Sequence, residues 1–101
     1  MGKFHTPVID RLFEAILTLG SVEECYKFFE DACTIKEIQE IAQRFDVACS
    51  LSRGNSFAAV AKETGVSTAT ISRVNKSLIY GSDGYKMVIE RLGGNIEKES
   101  K

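Results

Sequence analysis

The chain has 101 residues, of which 44% are apolar, and a formal net charge of −1. This length fits one small domain and leaves little room for a second one. A domain of this size buries only part of its unfolded surface, so self-association is one way to complete its core. The net charge is too small to identify a nucleic-acid-binding protein by itself.

The composition also argues against a membrane, secreted or metal-binding protein. No apolar run approaches membrane-spanning length, and the N-terminus lacks the apolar segment of a signal peptide. The cysteines Cys25, Cys33 and Cys49 are odd in number and lack metal-binding spacing, and His5 is the only histidine. We therefore expect reduced thiols, no metal, no membrane contact and a cytoplasmic location.

Charge is distributed unevenly along the chain. Residues 1–52 carry five Lys or Arg against nine Asp or Glu, whereas residues 53–80 carry four against one. Residues 81–101 balance at four and four. The net-positive block is therefore where contacts with DNA phosphates are expected.

Helix signals recur through the N-terminal half, residues 7–52, which we predict to form dimerisation helices. Thr6-Pro7 is an N-cap followed by proline at the first helical position, and apolar residues at helical spacing continue to Gly20. Capping boxes at Ser21–Glu24 and Thr34–Glu37 predict two further helices. The second is the longest, and its apolar stripe is Ile38, Ile41, Ala42, Phe45, Ala48 and Cys49.

Two short helices separated by Gly65 are predicted over residues 56–79. Ser56 and Ser67 can cap them, and glycine supplies the positive φ of a tight turn. In the second helix, apolar residues at i, i+3 and i+7 fall on one face. This spacing is typical of a helix-turn-helix.

The opposite face of the second helix carries small and hydroxyl side chains and two cations. The stretch from Gly65 to Ser82 contains no acid. Small side chains let a helix approach the groove floor, hydroxyl groups can contact base edges, and a helix N-terminus favours phosphate. A structural helix pair that binds no nucleic acid is the alternative. The predicted DNA-binding residues are Ser67, Thr68, Ala69, Thr70, Ser72, Arg73 and Lys76.

The C-terminal part begins with Gly81-Ser82-Asp83, which ends one helix and is predicted to cap the next, over residues 83–92. Residues 95–101 are polar and predicted to be a flexible tail. No strand alternation is visible along the chain. The sequence therefore predicts an all-α fold of about six short helices in a single domain over residues 1–94.

The segment Ala69–Leu78, ATISRVNKSL, together with Ser52-Arg53-Gly54, resembles the bacterial Trp repressor family. Similarity is greatest to the small Trp-repressor-related proteins of Gram-positive bacteria and covers residues 8–92. The resemblance implies an intertwined homodimer. Its two recognition helices would enter successive major grooves of double-stranded DNA.

The resemblance also implies the location of a tryptophan pocket. Arg44 and Arg73 match the two arginines that flank the ligand in the family repressor, and Thr34 and Ser77 match residues beside it. Val74 stands where the repressor has a glycine, so its isopropyl group can fill the space for the ring. We therefore expect no tryptophan cofactor, and whether another small-molecule effector binds stays open. Three of these residues also have a purely structural interpretation: Arg44 as a solvated helix residue, Thr34 as a cap and Val74 as a core residue.

Two functional hypotheses remain. The leading one is a sequence-specific DNA-binding transcriptional regulator, a repressor by the resemblance, that acts as a homodimer. The alternative is a dimeric helical adaptor that holds another protein, because the adjacent Phe28 and Phe29 cannot both face one core. An enzyme is not expected, since no triad, paired carboxylates or phosphate-binding loop is visible.

Overall fold

A computed structural model describes residues 4–93, and within them it contains six α-helices and no strand, which confirms the predicted all-α fold. The predicted tail over residues 95–101 lies outside this range. None of the described helices is long and apolar enough to cross a bilayer. The helices are α1 (Pro7–Ile16), α2 (Val22–Ala32), α3 (Ile35–Ser52), α4 (Phe57–Thr64), α5 (Thr68–Tyr80) and α6 (Gly84–Arg91).

Helix starts follow the predicted caps. The Thr6 hydroxyl accepts a hydrogen bond from the Ile9 amide at 3.2 Å. At the start of α3, the Thr34 hydroxyl accepts from the Glu37 amide at 3.1 Å and the Glu37 carboxylate accepts from the Thr34 amide at 2.9 Å. These bonds satisfy amides that have no partner within the helix. Sequence-local chemistry therefore sets where these helices begin.

The chain divides into two compact units, residues 1–38 and 39–101. In the N-terminal unit, neither α1 nor α2 contains a buried residue. The rings of Phe28 and Phe29 contact each other edge to face, with centroids 5.2 Å apart, and both side chains are half-buried. This unit leaves apolar side chains exposed on both helices, with Leu17 83% and Val22 73% exposed.

The C-terminal unit has a closed apolar core. α3 contributes to it through Val47 and Ala48, whereas Ile41 in the predicted stripe is 53% exposed. The apolar stripe is therefore buried only at its end, in the last turns of α3, and its first half is not covered within the C-terminal unit. The core consists of Val47, Ala48, Val60, Ile71, Val74 and Leu78.

The start of α6 also differs from the prediction. Asp83 precedes the helix but makes no side-chain cap hydrogen bond, and its backbone is left-handed with φ 66°. Aspartate tolerates this conformation better than most side chains do. Asp83 therefore precedes α6 in a left-handed backbone conformation, and its carboxylate does not serve as an N-cap.

Candidate nucleic-acid interface

Helices α4 and α5 are joined by a three-residue turn that begins at Gly65. Gly65 has φ +73°, and its amide donates to the Ala61 carbonyl at 2.8 Å. The Thr64 hydroxyl donates to the Val60 carbonyl at 2.7 Å and accepts from the Val66 amide at 3.2 Å. The left-handed glycine and the threonine together end α4 and redirect the chain into α5. The geometry is that of the predicted helix-turn-helix.

One face of α5 is fixed in the core of the C-terminal unit. Ile71, Val74 and Leu78 are 0%, 2% and 8% exposed and pack with Val60 of α4. Burying three such side chains contributes several kcal/mol, at about 1.5–3 kcal/mol each. This stripe sets the rotation of α5 about its own axis, so the opposite face points to solvent.

The solvent-facing side of α5 carries the residues predicted to contact DNA. Ser72, Arg73 and Lys76 are exposed, as are Thr68 and Ala69 near the start of the helix. Thr70 is half-buried, and its amide and hydroxyl lie 3.3 Å and 3.2 Å from the capping hydroxyl of Ser67. Ser67 therefore acts in the fold as the N-cap of α5.

A shallow groove runs along this exposed face and extends beyond the predicted residues. Asn75, Ile79 and Tyr80 lie along it and were missed by the sequence reasoning. Tyr80 follows Lys76 by four residues, so helical periodicity extended one more turn would have found it. The groove is lined by Ala69, Ser72, Arg73, Asn75, Lys76, Ile79 and Tyr80.

Pairing of Arg53 with Glu63 leaves the net positive charge of residues 53–80 on Lys62, Arg73 and Lys76. Arg53 Nη2 lies 3.0 Å from Glu63 Oε2, and the arginine side chain is only 17% exposed. Glu63 Oε1 also accepts a hydrogen bond of 2.6 Å from the hydroxyl of buried Ser50. The sequence alone suggested no role for Glu63 and did not show that Arg53 is paired. The feature that could have indicated this ion pair is a single acid, Glu63, among the four basic residues of the segment 53–80.

The five residues of the implied effector pocket occupy different environments. Thr34 is an exposed N-cap of α3 in the N-terminal unit. Within the C-terminal unit, Arg44 is half-buried, Arg73 and Ser77 are exposed, and Val74 is packed in the core. Of the five, Ser77 alone lines an apolar groove formed by Ile41, Phe45, Ser77, Gly81, Ser82, Gly84, Tyr85, Met87 and Val88.

No group of His, Cys, Asp and Glu side chains in residues 4–93 could hold a metal ion. The features that the described chain does present are a helix-turn-helix, an outward basic and hydroxyl-bearing face on α5, and an all-helical scaffold. Together they define the class of helix-turn-helix proteins.

The Trp repressor protein family model matches residues 8–93, and the chain belongs to this family. It is 54% identical over 92 residues to the uncharacterised protein YerC of Bacillus subtilis strain 168, covering 91% of this chain and 88% of YerC. A crystal structure of a TrpR-like protein from Eubacterium eligens superposes with a TM-score of 0.88 at 53% identity, covering 92% of this chain and 96% of that one. A candidate Trp repressor from Staphylococcus aureus gives a TM-score of 0.86 at 48% identity, with 90% and 91% coverage.

Proposed function

We propose that this protein is a sequence-specific DNA-binding transcriptional regulator that acts as a homodimer in the cytoplasm. The observation that carries the proposal is the exposed face of α5. It presents Ser72, Arg73 and Lys76 to solvent on a helix whose other face is locked in the core. Such a helix can enter a major groove with small side chains near the bases and cations near the phosphates.

Homodimer formation is supported by the exposed apolar surface of the N-terminal unit. Leu12 and Phe13 of α1 are 43% and 49% exposed, and Val8 is 69% exposed. Contiguous apolar surface of this kind typically marks an interface. Membership of the Trp repressor family supports the same assembly, in which two copies present two recognition helices to one DNA site.

We also propose that DNA binding does not require L-tryptophan. Val74 is 2% exposed and packs with Val47, Ala48 and Ile71. A packed interior does not readily open to accept an additional ring. The helix-turn-helix would then have its DNA-binding conformation without an aromatic amino acid bound beside Val74.

The proposed function is tested by selecting bound sequences from random duplex DNA and measuring affinity at several salt concentrations. Affinity should fall as salt rises, because phosphate contacts release counterions. Lys76→Ala should weaken all sequences alike and reduce the salt slope by about one unit. Changes at Thr68, Ala69, Thr70 or Ser72 should instead alter sequence preference.

Lys86→Ala on α6 is the matched control, since Lys86 is exposed and lies 4.0 Å from Asp83 outside the proposed interface. It should leave the salt slope unchanged. Equal loss of specificity from every α5 variant would contradict the assignment of roles. The absence of any salt-dependent duplex binding would favour the adaptor hypothesis, in which the apolar surface of the N-terminal unit binds another protein.

A further inference from the structure

We propose that Glu63 is a positioning residue, which fixes the helix-turn-helix on the end of α3 and so sets the spacing of the two recognition helices in the proposed dimer. This role rests on the proposed function. It assigns a task to the one acidic side chain in residues 53–80, where a negative charge would otherwise oppose DNA binding.

Glu63 is the acceptor end of a continuous polar network, formed by Asn55, Ser50, Glu63 and Arg53. Asn55 Nδ2 donates to Ser50 Oγ at 2.9 Å, and that hydroxyl donates to Glu63 Oε1 at 2.6 Å. Arg53 Nη2 donates to Glu63 Oε2 at 3.0 Å. In each of these hydrogen bonds the donor lies on the side away from the Glu63 carboxylate. Consecutive hydrogen bonds with the same direction, such as those from Asn55 to Ser50 and from Ser50 to Glu63, strengthen one another.

The polar network differs from an ordinary surface ion pair. Ser50 is 0% exposed and the Arg53 side chain is 17% exposed, so both polar groups depend on their partners inside the protein. Removing the Glu63 carboxylate would leave a buried hydroxyl and a largely buried guanidinium without their acceptor. Losing a partner in this way is more costly than losing a solvated contact.

The polar network is placed where it can influence the orientation of α5, the proposed recognition helix. Ser50 lies near the end of α3, Arg53 and Asn55 follow it, and Glu63 lies in the last turn of α4, two residues before Gly65. Within residues 4–93, the bonds to Glu63 are the only side-chain hydrogen bonds that join the end of α3 to α4. A change here would alter the angle at which α4 and α5 leave α3.

That angle matters for a dimeric DNA-binding protein. Two recognition helices bind together only when their separation matches the spacing of two half-sites on the duplex. The apolar core holds α4 and α5 against α3, but apolar contacts have little directional preference. Hydrogen bonds to one carboxylate are directional, so the polar network can select a single angle.

The first measurement is amide hydrogen exchange by NMR on the full-length protein, which needs no DNA. Glu63→Ala should raise exchange of the α4 amides by about tenfold, the factor expected for a lost charge-assisted hydrogen bond. Ser50→Ala should have a similar effect, and the double variant should add little, because both changes break one network. Exchange of the α4 amides in Glu63→Gln should lie between that of the wild type and that of Glu63→Ala, because the glutamine amide oxygen can still accept a hydrogen bond from Ser50.

The second measurement is affinity for selected duplexes whose half-site spacing is lengthened or shortened by one and two base pairs. The wild type should prefer one spacing, whereas Glu63→Ala and Ser50→Ala should reduce that preference by about tenfold. Glu63→Gln should restore part of it. Lys62→Ala is the matched control, because Lys62 is an exposed neighbour on α4, and it should retain the wild-type spacing preference.

Unchanged α4 exchange in Glu63→Ala would overturn the proposal, because the polar network would then not hold α4. Faster exchange with an unchanged spacing preference would also overturn it and leave Glu63 a purely structural residue. If no duplex is bound at all, the proposed function and this role both fail. The exchange measurement would then still report whether Glu63 holds α4 to α3.

Discussion

The N-terminal and C-terminal units differ in how far their apolar side chains are buried. In the C-terminal unit, apolar residues from α3, α4 and α5 meet in one closed core that includes Val47, Val60 and Ile71. In the N-terminal unit, α1 and α2 bury no residue completely, and side chains such as Val8 and Leu17 remain exposed. The C-terminal unit therefore has a closed apolar core, whereas the N-terminal unit leaves apolar side chains exposed.

This difference follows from how each unit is built. In the C-terminal unit, the Gly65 turn folds α5 back on α4, so apolar residues far apart in sequence cover one another. Helices α1 and α2 are capped and amphipathic, but amphipathic helices need a partner for their apolar faces. This difference agrees with the proposed function, in which the C-terminal unit would bind DNA and the N-terminal unit would form the dimer.

The largest expected effect comes from placing a charge on the apolar face of the N-terminal unit. Phe13→Glu should weaken the proposed dimer by at least about 100-fold, because a carboxylate would replace a buried ring at the interface. Sedimentation equilibrium measures this. Glu14→Gln is the control, since Glu14 is exposed beside it on α1. A wild-type chain that remains a folded monomer at micromolar concentration would contradict the interpretation of this unit.

In the C-terminal unit, Val74→Gly tests whether the core is closed to a ligand. The change should lower the free energy of unfolding by about 3 kcal/mol, from lost apolar burial and the poor helix propensity of glycine. Calorimetric titration of L-tryptophan should detect no micromolar affinity in the wild type. Affinity gained by Val74→Gly, with Val74→Ala as the comparison, would support the steric argument. Micromolar tryptophan affinity in the wild type would refute it.

Two glycines allow a paired test of the two units. Gly65 has φ +73° and an added Cβ would meet no atom within 4 Å, so Gly65→Val is strained by its backbone alone. The expected loss is about 1–3 kcal/mol, seen as a lower melting temperature. Gly20→Ala in the N-terminal unit should have little effect, because its Cβ would meet only Glu24 Oε1 at 3.6 Å. An unchanged melting temperature for Gly65→Val would place the turn elsewhere.

The smallest effect concerns the reactivity of the cysteines. Cys25 in the N-terminal unit is exposed, whereas Cys49 is buried on α3. Burial raises the pKa of the Cys49 thiol, with a further contribution from the carboxylate of Asp46, so the reactive thiolate is disfavoured. Cys49 should therefore be alkylated most slowly of the three cysteines, as measured by mass spectrometry near pH 8. Chain unfolded in urea is the control, and in it the three rates should converge.

The same thiol affects stability at alkaline pH. Because the pKa of Cys49 is higher in the folded state, the unfolded chain loses its proton first as pH rises. The folded protein should then lose stability above the ordinary thiol pKa of about 8.5. Cys49→Ser should remove this part of the alkaline loss.

Much of the candidate interface could be predicted because it depends on local patterns. The exposed face of α5 follows from helical periodicity once Ile71 and Val74 are assigned to the core, and Gly65 alone indicates the turn. The prediction stopped one turn early, however, and so missed Ile79 and Tyr80, and it also omitted Asn75 within the predicted segment. Ile79 and Tyr80 are not typical of base contacts, whereas Asn75 is a side-chain type that does contact bases and was overlooked.

By itself the sequence determined where α1 to α5 begin and where the chain turns at Gly65, because a capping hydroxyl or a left-handed glycine acts on amides within a few residues. Tertiary structure decided which half of α3 is buried, so that Val47 is in the core and Ile41 is exposed. It also decided that Glu63 neutralises Arg53 and binds Ser50. These partners lie ten and thirteen residues apart, and their contact requires α4 to fold back on α3. Interactions between residues close in sequence cannot specify such a contact, because the two side chains meet only after packing has brought the helices together.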